Sequence, residues 1–167
     1  YRGQSGGGVR IEGQAIQGPS PKVGFVFQTP ALLEWLSVID NVLLPISLHR
    51  RVQVADRGTA VELLELVGIA DLAKRHPGQL SGGQQSRAAL ARALVTSPPA
   101  LLMDEPFAAL DAITRGELQD DVFRPVAARR TTVLFVTSNR REPGPHRHLI
   151  TTHRAPGPPP PRSREAP

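Results

Sequence analysis

The sequence LSGGQQSRAALARALVTSPPALLMDEPFAALD, residues 80–111, contains a helix and the strand that follows it. Ser81 and the glycines at 82 and 83 precede a periodic apolar run, which predicts a helix to about Val95. The Ser-Pro-Pro sequence at 97–99 ends that helix, and the apolar run Ala100–Met103 is typical of a buried strand. This part of the chain therefore indicates a helix that returns to a buried sheet.

Three further segments have the composition of strands. Polar and apolar residues alternate over Val9–Ile16, which predicts one half-exposed strand. Lys22–Gln28 is a short β-prone apolar run that predicts a buried strand ending at Gln28, and Thr131–Thr137 predicts another buried strand. Because helical segments separate these strands, the sequence predicts an α/β domain with parallel strands.

Three other segments have helical spacing. The first begins at Ser37, which can cap the helix, and Pro45 bends or ends it. Asp56–Val67 places apolar residues on one helical face, and Gly68 supplies the stop signal. Ile113 to about Val122 is predicted to form a third helix.

Composition and charge limit the class of protein. The 167 residues include no cysteine, which excludes disulfides and thiolate metal sites, and no apolar run of about 18 residues that could span a bilayer. The net charge is +5, but residues 139–167 contain six arginines and two glutamates, so the remainder carries only +1. Nucleic-acid binding needs a clustered basic face, and we therefore expect no nucleic-acid partner.

The C-terminal segment, residues 139–167, differs in character from the rest of the chain. It is rich in proline and arginine and has no apolar period. Such a composition cannot form a packed core, so we predict a divergent, disordered C-terminal tail.

Two acids follow the strand Ala100–Met103. A carboxylate at the C-terminal end of a buried parallel strand lies at the edge where α/β sheets place their ligands. Asp104 is therefore a candidate Mg²⁺ ligand, direct or through water, and Glu105 is a candidate general base for an attacking water. Taken alone, the two acids are equally compatible with a surface turn.

The Ser81-Gly82-Gly83 sequence has the features of an anion-binding turn. A helix N-terminus offers unpaired N–H groups and a partial positive charge, and glycines let the backbone approach a phosphate closely. The hydroxyl of Ser81 adds another donor. Taken alone, the sequence is equally compatible with an ordinary serine-capped helix.

The order and spacing of these motifs resemble the nucleotide-binding domain of ATP-binding cassette (ABC) proteins. LSGGQ is similar to the family signature, ALLMDE to the Walker B strand and AALD to the D-loop, and Gln28 after VGFVF resembles the Q-loop glutamine. The resemblance extends from about Gly6 to Thr137. It implies a P-loop NTPase fold with ATP and Mg²⁺ as cofactors.

The resemblance implies catalytic and metal roles for three residues. Gln28 would contact both Mg²⁺ and the attacking water, as a metal and catalytic residue. Asp104 would orient Mg²⁺, and Glu105 would polarise the water.

The resemblance also implies a second ABC ATPase subunit, because ATP lies between two such domains that face each other in the family. Ser81, Gly82, Gly83 and Gln84 would contact the γ-phosphate of an ATP held by that partner. Asp111 would contact the phosphate loop of the opposite subunit.

The segment after Gln28 indicates a subfamily. TPALLEWLSVIDNVLLPISL is similar to ATPases of nitrate, sulfonate and taurine importers, in which a tryptophan precedes the helix that contacts the permease. Trp35 occupies that place, although an ordinary packing residue would look the same, and Glu34 stands where those proteins often carry proline. The resemblance implies a transmembrane permease partner, an indirect link to a solute-binding protein, and a peripheral position on the cytoplasmic face of the plasma membrane.

Two family features are missing from the sequence. No G-x-x-x-x-G-K-[ST] phosphate loop is present, and SGGGVRIEG resembles the segment after the Walker A helix, so we expect the Walker A strand, loop and helix to lie upstream of Tyr1. Ser138 and Asn139 stand where the family has a γ-phosphate histidine, and we interpret His146, His148 and His153 as tail residues. The sequence HLITTHRAPG, His148–Gly157, resembles the last strand and following loop of the family.

We therefore predict a partial ABC ATPase domain over residues 1–138, with a helical subdomain over about residues 30–95 and without the Walker A strand, loop and helix. The sheet should be incomplete and expose apolar surface. The chain should be inactive alone. Two alternatives stay open, which are a soluble ABC-type ATPase of translation or DNA repair and a non-functional gene remnant.

Overall fold

The protein is seen in a computed structural model that describes residues 9–16, 18, 20, 22–104, 126, 131–138 and 148–153. The described residues include two short 3₁₀ turns, Ala70–Leu72 and Pro77–Gln79. The strands and α-helices of the described residues are, in chain order, β1 (Val9–Ile11), β2 (Gln14–Ile16), β3 (Val23–Val26), α1 (Val38–Ser47), α2 (Val54–Leu66), α3 (Gly82–Leu94), β4 (Ala100–Asp104), β5 (Thr132–Ser138) and β6 (His148–His153).

The main sheet has the strand order β3-β4-β5-β6. The first three strands are parallel, as the sequence predicts, whereas β6 runs antiparallel to β5. The register pairs Val26 with Met103 and Asp104 with Val136. The C-terminal ends of β3, β4 and β5 therefore lie along one edge of the sheet.

The prediction of one strand over Val9–Ile16 is wrong, because β1 and β2 form an antiparallel hairpin that pairs Val9 with Ile16. Glu12 and Gly13 make the turn with φ values of 51° and 77°. A two-residue turn with both φ angles positive matches the right-handed twist of the two strands. Alternating polarity continues through such a turn, so the pattern alone does not reveal it.

Strand β3 is shorter and less buried than predicted. Gly24 and Val26 face α3 and are buried, whereas Phe25 and Phe27 on the other face are 45% and 52% exposed. The two rings stack with centroids 5.6 Å apart. A run that is apolar on both faces predicts that both faces of the strand are buried. Among the described elements, a helix covers only one face of β3. The other face exposes apolar surface, as expected for an incomplete sheet.

Helix α1 begins where the sequence predicts. The Oγ of Ser37 accepts a hydrogen bond from the Asp40 N–H at 3.2 Å and donates to its carboxylate at 2.6 Å. Pro45 does not end the helix, which continues to Ser47. Proline removes one backbone donor, so the helix loses one i→i−4 hydrogen bond at this position without ending there.

Helices α2 and α3 also agree with the predicted positions to within two residues. Gln53 caps α2, and Gly68 after it has a φ of 70°, as the stop signal predicts. The helices pack around side chains that include the fully buried Leu63, Leu64 and Leu94. All three helices fall inside the segment 30–95 predicted to be a helical subdomain, whose boundaries stay a prediction.

Strand β6 lies within the segment predicted to be a tail. It pairs with β5 from Val133↔His153 to Ser138↔His148. This agrees with the similarity of His148–Gly157 to the last strand of the family, and it shows that the backbone of His148 and His153 belongs to the sheet, so their interpretation as tail residues is wrong. The predicted helix from Ile113 to about Val122 lies outside the described residues.

In the part of the chain that the structure describes, none of the helices has the length and apolar character needed to cross a bilayer.

Candidate functional site

Two predicted metal-site residues lie at the C-terminal edge of the parallel sheet. Asp104 is the last residue of β4 and is exposed. Strand β3 ends at Val26, which pairs with Met103, and Gln28 follows two residues later in a bend. Gln28 is also exposed. A carboxylate and an amide oxygen at or just beyond the C-terminal ends of parallel strands are donors of the kind that Mg²⁺ accepts.

The sheet edge offers few oxygen ligands for a metal ion. Among the described residues, no group of three or more acidic or histidine side chains could hold a metal ion. Mg²⁺ commonly takes one or two protein oxygens and completes its shell with water and substrate phosphates. The residues present therefore fit an ion that arrives with a nucleotide better than an ion held by the protein alone.

The turn Ser81–Gln84 begins α3 with a reciprocal pair of hydrogen bonds. The Gln84 N–H donates to Ser81 Oγ at 3.3 Å, and the Ser81 N–H donates to Gln84 Oε1 at 2.9 Å. This capping box fixes the serine side chain and the first helical turn. Gln84 Oε1 is thus engaged in holding Ser81, and the predicted contact of Gln84 with a γ-phosphate stays a prediction.

Gly82 and Gly83 leave the N-terminal face of α3 open. Gln85 donates to the Ser81 carbonyl at 2.9 Å, whereas the N–H groups of both glycines have no acceptor among the described residues. A Cβ built at either position meets nothing within 4 Å, and neither residue has a positive φ. Nothing within the described chain requires glycine here, and the space beside the backbone at both positions is open.

The described part of a single chain does not assemble the predicted site. The structure contains no hydrogen bond between the turn 81–84 and either Gln28 or Asp104 in the residues it describes. Glu105 and Asp111 lie outside the described residues, and their roles remain predictions. Asp104 ends β4 and Gln28 follows the end of β3, whereas Ser81–Gly83 begin α3 on a separate turn.

Strand β5 ends at the position where the family histidine is expected. Ser138 is the last residue of β5, and its Cα partner across the ladder is His148 of β6. Asp104 pairs with Val136, two residues before Ser138. Strand β6 therefore brings a histidine backbone position to the same end of the sheet.

The sequence reasoning gave no role to two arginines of α3, Arg87 and Arg92. Arg92 donates from Nη1 to the Ala31 carbonyl at 2.8 Å and from Nη2 to the Pro30 carbonyl at 2.7 Å. Burial lowers the pKa of the Arg92 guanidinium. Arg87 donates to the Val67 carbonyl at 3.0 Å. The sequence offers one signal for Arg92, which is a charged residue within the otherwise buried run Ala88–Leu94.

The segment before α1 is held by a buried amide and exposes a tryptophan. Asn41 is fully buried, and its Oδ1 accepts from the Leu33 N–H at 2.7 Å. Its Nδ2 donates to the carbonyls of Leu33 and Leu36 at 3.0 and 3.1 Å. Trp35 lies between these anchored residues and is 74% exposed. The backbone around Trp35 is thus fixed while its ring faces outward.

Comparison with known proteins agrees with this geometry. Residues 2–108 match the family model described as ABC transporter. The chain is 44% identical to a nitrate import ATP-binding protein of Synechococcus elongatus, covering 78% of this chain and 48% of that protein.

Two further relatives are import ATP-binding proteins. An aliphatic sulfonates import ATP-binding protein of Burkholderia lata is 43% identical, over 81% of this chain and 48% of that protein. A taurine import ATP-binding protein of Rhizobium johnstonii is 41% identical, over 83% and 53%. The chain spans about half the length of these curated relatives. The match of its motifs and of more than half its residues shows that the chain belongs to the ABC transporter family of ATP-binding proteins.

Proposed function

We propose that this chain is part of the ATP-hydrolysing subunit of an ABC importer, and that its turn Ser81–Gly83 completes an ATP site on a partner subunit. The observation that carries the proposal is the open N-terminal face of α3. Two glycine N–H groups have no acceptor in the described chain, and a fixed serine hydroxyl stands beside them. These groups have the chemistry that binds a terminal phosphate.

The charge distribution at the N-terminus of α3 supports a role in binding phosphate. The partial positive charge of the α3 N-terminus favours an anion, and the first turn contains no acidic residue to oppose it. The absence of side chains at Gly82 and Gly83 lets a phosphate approach the backbone. Asp111 would contact the phosphate loop of the opposite subunit, as the family resemblance implies.

The sheet edge with Gln28 and Asp104 would also contact ATP, on the side opposite to the turn of a partner subunit. Mg²⁺ bound to ATP supplies the charge neutralisation that phosphoryl transfer requires. Asp104 would hold the ion, Gln28 would contact both the ion and the attacking water, and Glu105 would accept the water proton. ATP held between two subunits would then be hydrolysed only when both faces are present.

The chain contains no G-x-x-x-x-G-K-[ST] sequence. Electrostatic clamping of the phosphates is the main catalytic contribution in phosphoryl transfer, and that loop supplies most of it. We therefore propose that these residues provide the signature face and the sheet edge of the site and do not hydrolyse ATP alone.

Trp35 suggests where the permease binds. An exposed indole on a fixed backbone is typical of a contact surface, because it buries a large area with little loss of conformational freedom. We propose that Trp35 contacts a transmembrane permease on the cytoplasmic face of the plasma membrane, and that a solute-binding protein acts indirectly through that permease. The imported solute would be small, of the nitrate, sulfonate or taurine type.

A chimera tests the proposal. Residues 22–111 of this chain would replace the corresponding residues of the nitrate import ATP-binding protein of Synechococcus elongatus, which then supplies the phosphate loop. We expect ATP hydrolysis, and a loss of about 100-fold or more for Asp104→Asn, because magnitudes of this order follow the removal of one transition-state contact. A folded chimera without ATPase activity, or one that Asp104→Asn leaves unchanged, would contradict the proposal.

A further inference from the structure

Arg92 connects two parts of the molecule that are far apart in sequence. Its guanidinium lies on α3 and donates to two successive carbonyls, those of Pro30 and Ala31, at 2.7 and 2.8 Å. These residues follow Gln28 directly after the end of β3. One side chain thus joins the helix that begins with the signature turn to the segment that begins with the Q-loop glutamine.

The segment that Arg92 holds has little other support. Within the part of the chain that the structure describes, the hydrogen bonds that reach the backbone of residues 29–32 are the two from Arg92. Ala31 has a φ of 46°, a left-handed conformation that is unfavourable for a residue with a Cβ. Such a conformation persists only when its surroundings impose it, and the paired carbonyl contact is the visible constraint.

The next residues along the chain are held by the helices as well. Asn41 of α1 fixes Leu33 and Leu36 through three hydrogen bonds of 2.7 to 3.1 Å. Residues 30–36 are therefore attached to α1 and α3, whereas β3 ends at Val26. Gln28 lies at the junction between the sheet and this helix-bound segment.

The chemistry at Pro30 and Ala31 favours arginine over lysine. A guanidinium presents donors in a planar fork and can serve two carbonyls at once, whereas an ammonium acts as a single compact charge. Burial makes the site costly for any cation, and the two carbonyl contacts offset that cost. The burial-lowered pKa of Arg92 still leaves the guanidinium charged near neutral pH.

We propose that Arg92 is a positioning residue. Through its contacts with Pro30 and Ala31, it makes the backbone of Pro30–Trp35 move together with α3. The position of Gln28 relative to the sheet edge then depends on the position of α3 as well. Gln84 and Arg92 are eight residues apart on one helix, about 12 Å. A displacement of the turn Ser81–Gly83 by a bound phosphate would therefore move Gln28 and Trp35 together. The functional meaning rests on the proposed function, while the mechanical link can be measured without nucleotide.

The test uses the full chain, without nucleotide, in two-dimensional NMR. Arg92→Lys and Arg92→Ala should shift the amide signals of Gln28 and Thr29 and the indole signal of Trp35, the only tryptophan. Hydrogen exchange of the Leu33 amide, which donates to Asn41, should rise about tenfold or more as the segment loosens. The amides of α2 should keep their protection, because α2 has no part in this link.

Arg87 provides the matched control. It lies on the same helix and donates to a backbone carbonyl, that of Val67, on a different loop. Arg87→Lys and Arg87→Ala should leave the signals of Gln28, Thr29 and Trp35 in place. Equal effects of the Arg87 and Arg92 variants on these signals would overturn the inference, as would an unchanged Leu33 amide in Arg92→Lys.

Chemical rescue separates positioning from a general packing role. In Arg92→Ala, added guanidinium ion should restore the Gln28 and Trp35 signals at concentrations where ammonium ion does not, because only the planar ion can bridge both carbonyls. If Arg92→Ala does not fold, Arg92→Lys carries the test through the Leu33 amide alone. No readout involves ATP, so a chimera without ATPase activity would contradict the proposed function and leave this result intact.

Discussion

The carbonyl oxygen of Ala93 lies 2.6 Å from the point that a Cβ on Gly24 would occupy. Leu101 Cδ1 is 2.9 Å and Pro98 Cγ 3.1 Å from the same point. Strand β3 can therefore pack against the end of α3 only because residue 24 has no side chain.

This contact predicts the effect of Gly24→Ala. The added methyl group would force β3 and α3 apart, and overpacking of this kind costs about 1–3 kcal/mol. Urea denaturation should show a lower midpoint for Gly24→Ala. Gly58→Ala is the matched control, because a Cβ at Gly58 meets nothing within 4 Å on α2 and alanine favours a helix. If both variants have the midpoint of the parent chain, the described packing of β3 is incorrect.

Gly83→Ala should separate stability from function. The open space at this position predicts a stability equal to that of the parent or slightly higher, since alanine is the better helix former. In the chimera the new methyl group would stand between the backbone and the phosphate, and we expect the ATPase rate to fall by about tenfold or more. Full activity of a folded Gly83→Ala chimera would argue against a close approach of phosphate to this backbone.

Two substitutions of Ser81 differ in charge while both keep a side chain that can cap the helix. Aspartate and asparagine are both good helix caps, so Ser81→Asp and Ser81→Asn should retain stability to within about 1 kcal/mol. In the chimera, Ser81→Asp would place a carboxylate against the phosphate and should lower the ATPase rate far more than Ser81→Asn. The ratio of the two rates is the measurement, and similar rates would mean that no anion binds beside Ser81.

The Arg50–Asp56 ion pair predicts a pH dependence of stability. Arg50 donates from both terminal nitrogens to Asp56 at 2.6 and 2.7 Å, and the Gln53 N–H donates to the same carboxylate at 2.8 Å. The hydrogen bonds from Arg50, followed by that from Gln53, lower the pKa of Asp56 to about 2. The stabilisation is present above the pKa of an unfolded aspartate, about 4, and disappears as the pH falls towards 2.

Asp56→Asn tests this pair through urea denaturation at several pH values. The variant should be less stable than the parent at pH 6, and the difference should shrink between about pH 4 and pH 2. Asp71→Asn, which removes an exposed carboxylate on a short 3₁₀ turn, is measured alongside as the matched substitution. A constant difference across this range would mean that Asp56 is not held as described.

Nucleotide binding by the isolated chain should be weak. The chain has no phosphate-loop lysine, and its two lysines, Lys22 and Lys74, lie outside any such sequence. Titration calorimetry with Mg²⁺-ATP should show no binding in the micromolar range. Micromolar affinity would show that another part of these residues holds the triphosphate.

The sequence correctly predicts those helix and strand boundaries that depend only on neighbouring residues. Ser37 and Ser81 identified two helix starts correctly because a cap depends on the next three residues alone. The end of β4 was predicted to within one residue, at Met103 where the strand continues to Asp104, because a buried apolar run stops at a carboxylate. The site at the sheet edge was inferred from that strand and from the parallel order of its neighbours, and it stays a prediction.

The features that were missed depend on distant partners. The reach of Arg92 to Pro30 spans 62 residues of sequence, and no local window contains both ends. The pairing of β6 with β5 was hidden by an intervening segment without periodicity, and the turn at Glu12 was hidden by alternation that continues on both sides. Burial of β3 was overestimated because the sequence shows apolar residues and does not show which face a helix covers.

The stack of Phe25 and Phe27 has a consequence for handling the protein. Strand β3 is an outer strand of the four-stranded sheet, so within the described residues its outer edge has no ladder partner, and half-exposed rings stand beside it. An unpaired strand edge with adjacent aromatic surface is a template for adding strands from other molecules. Concentrated solutions of the chain should form oligomers through this edge, and a lysine in place of Phe27 should keep them monomeric.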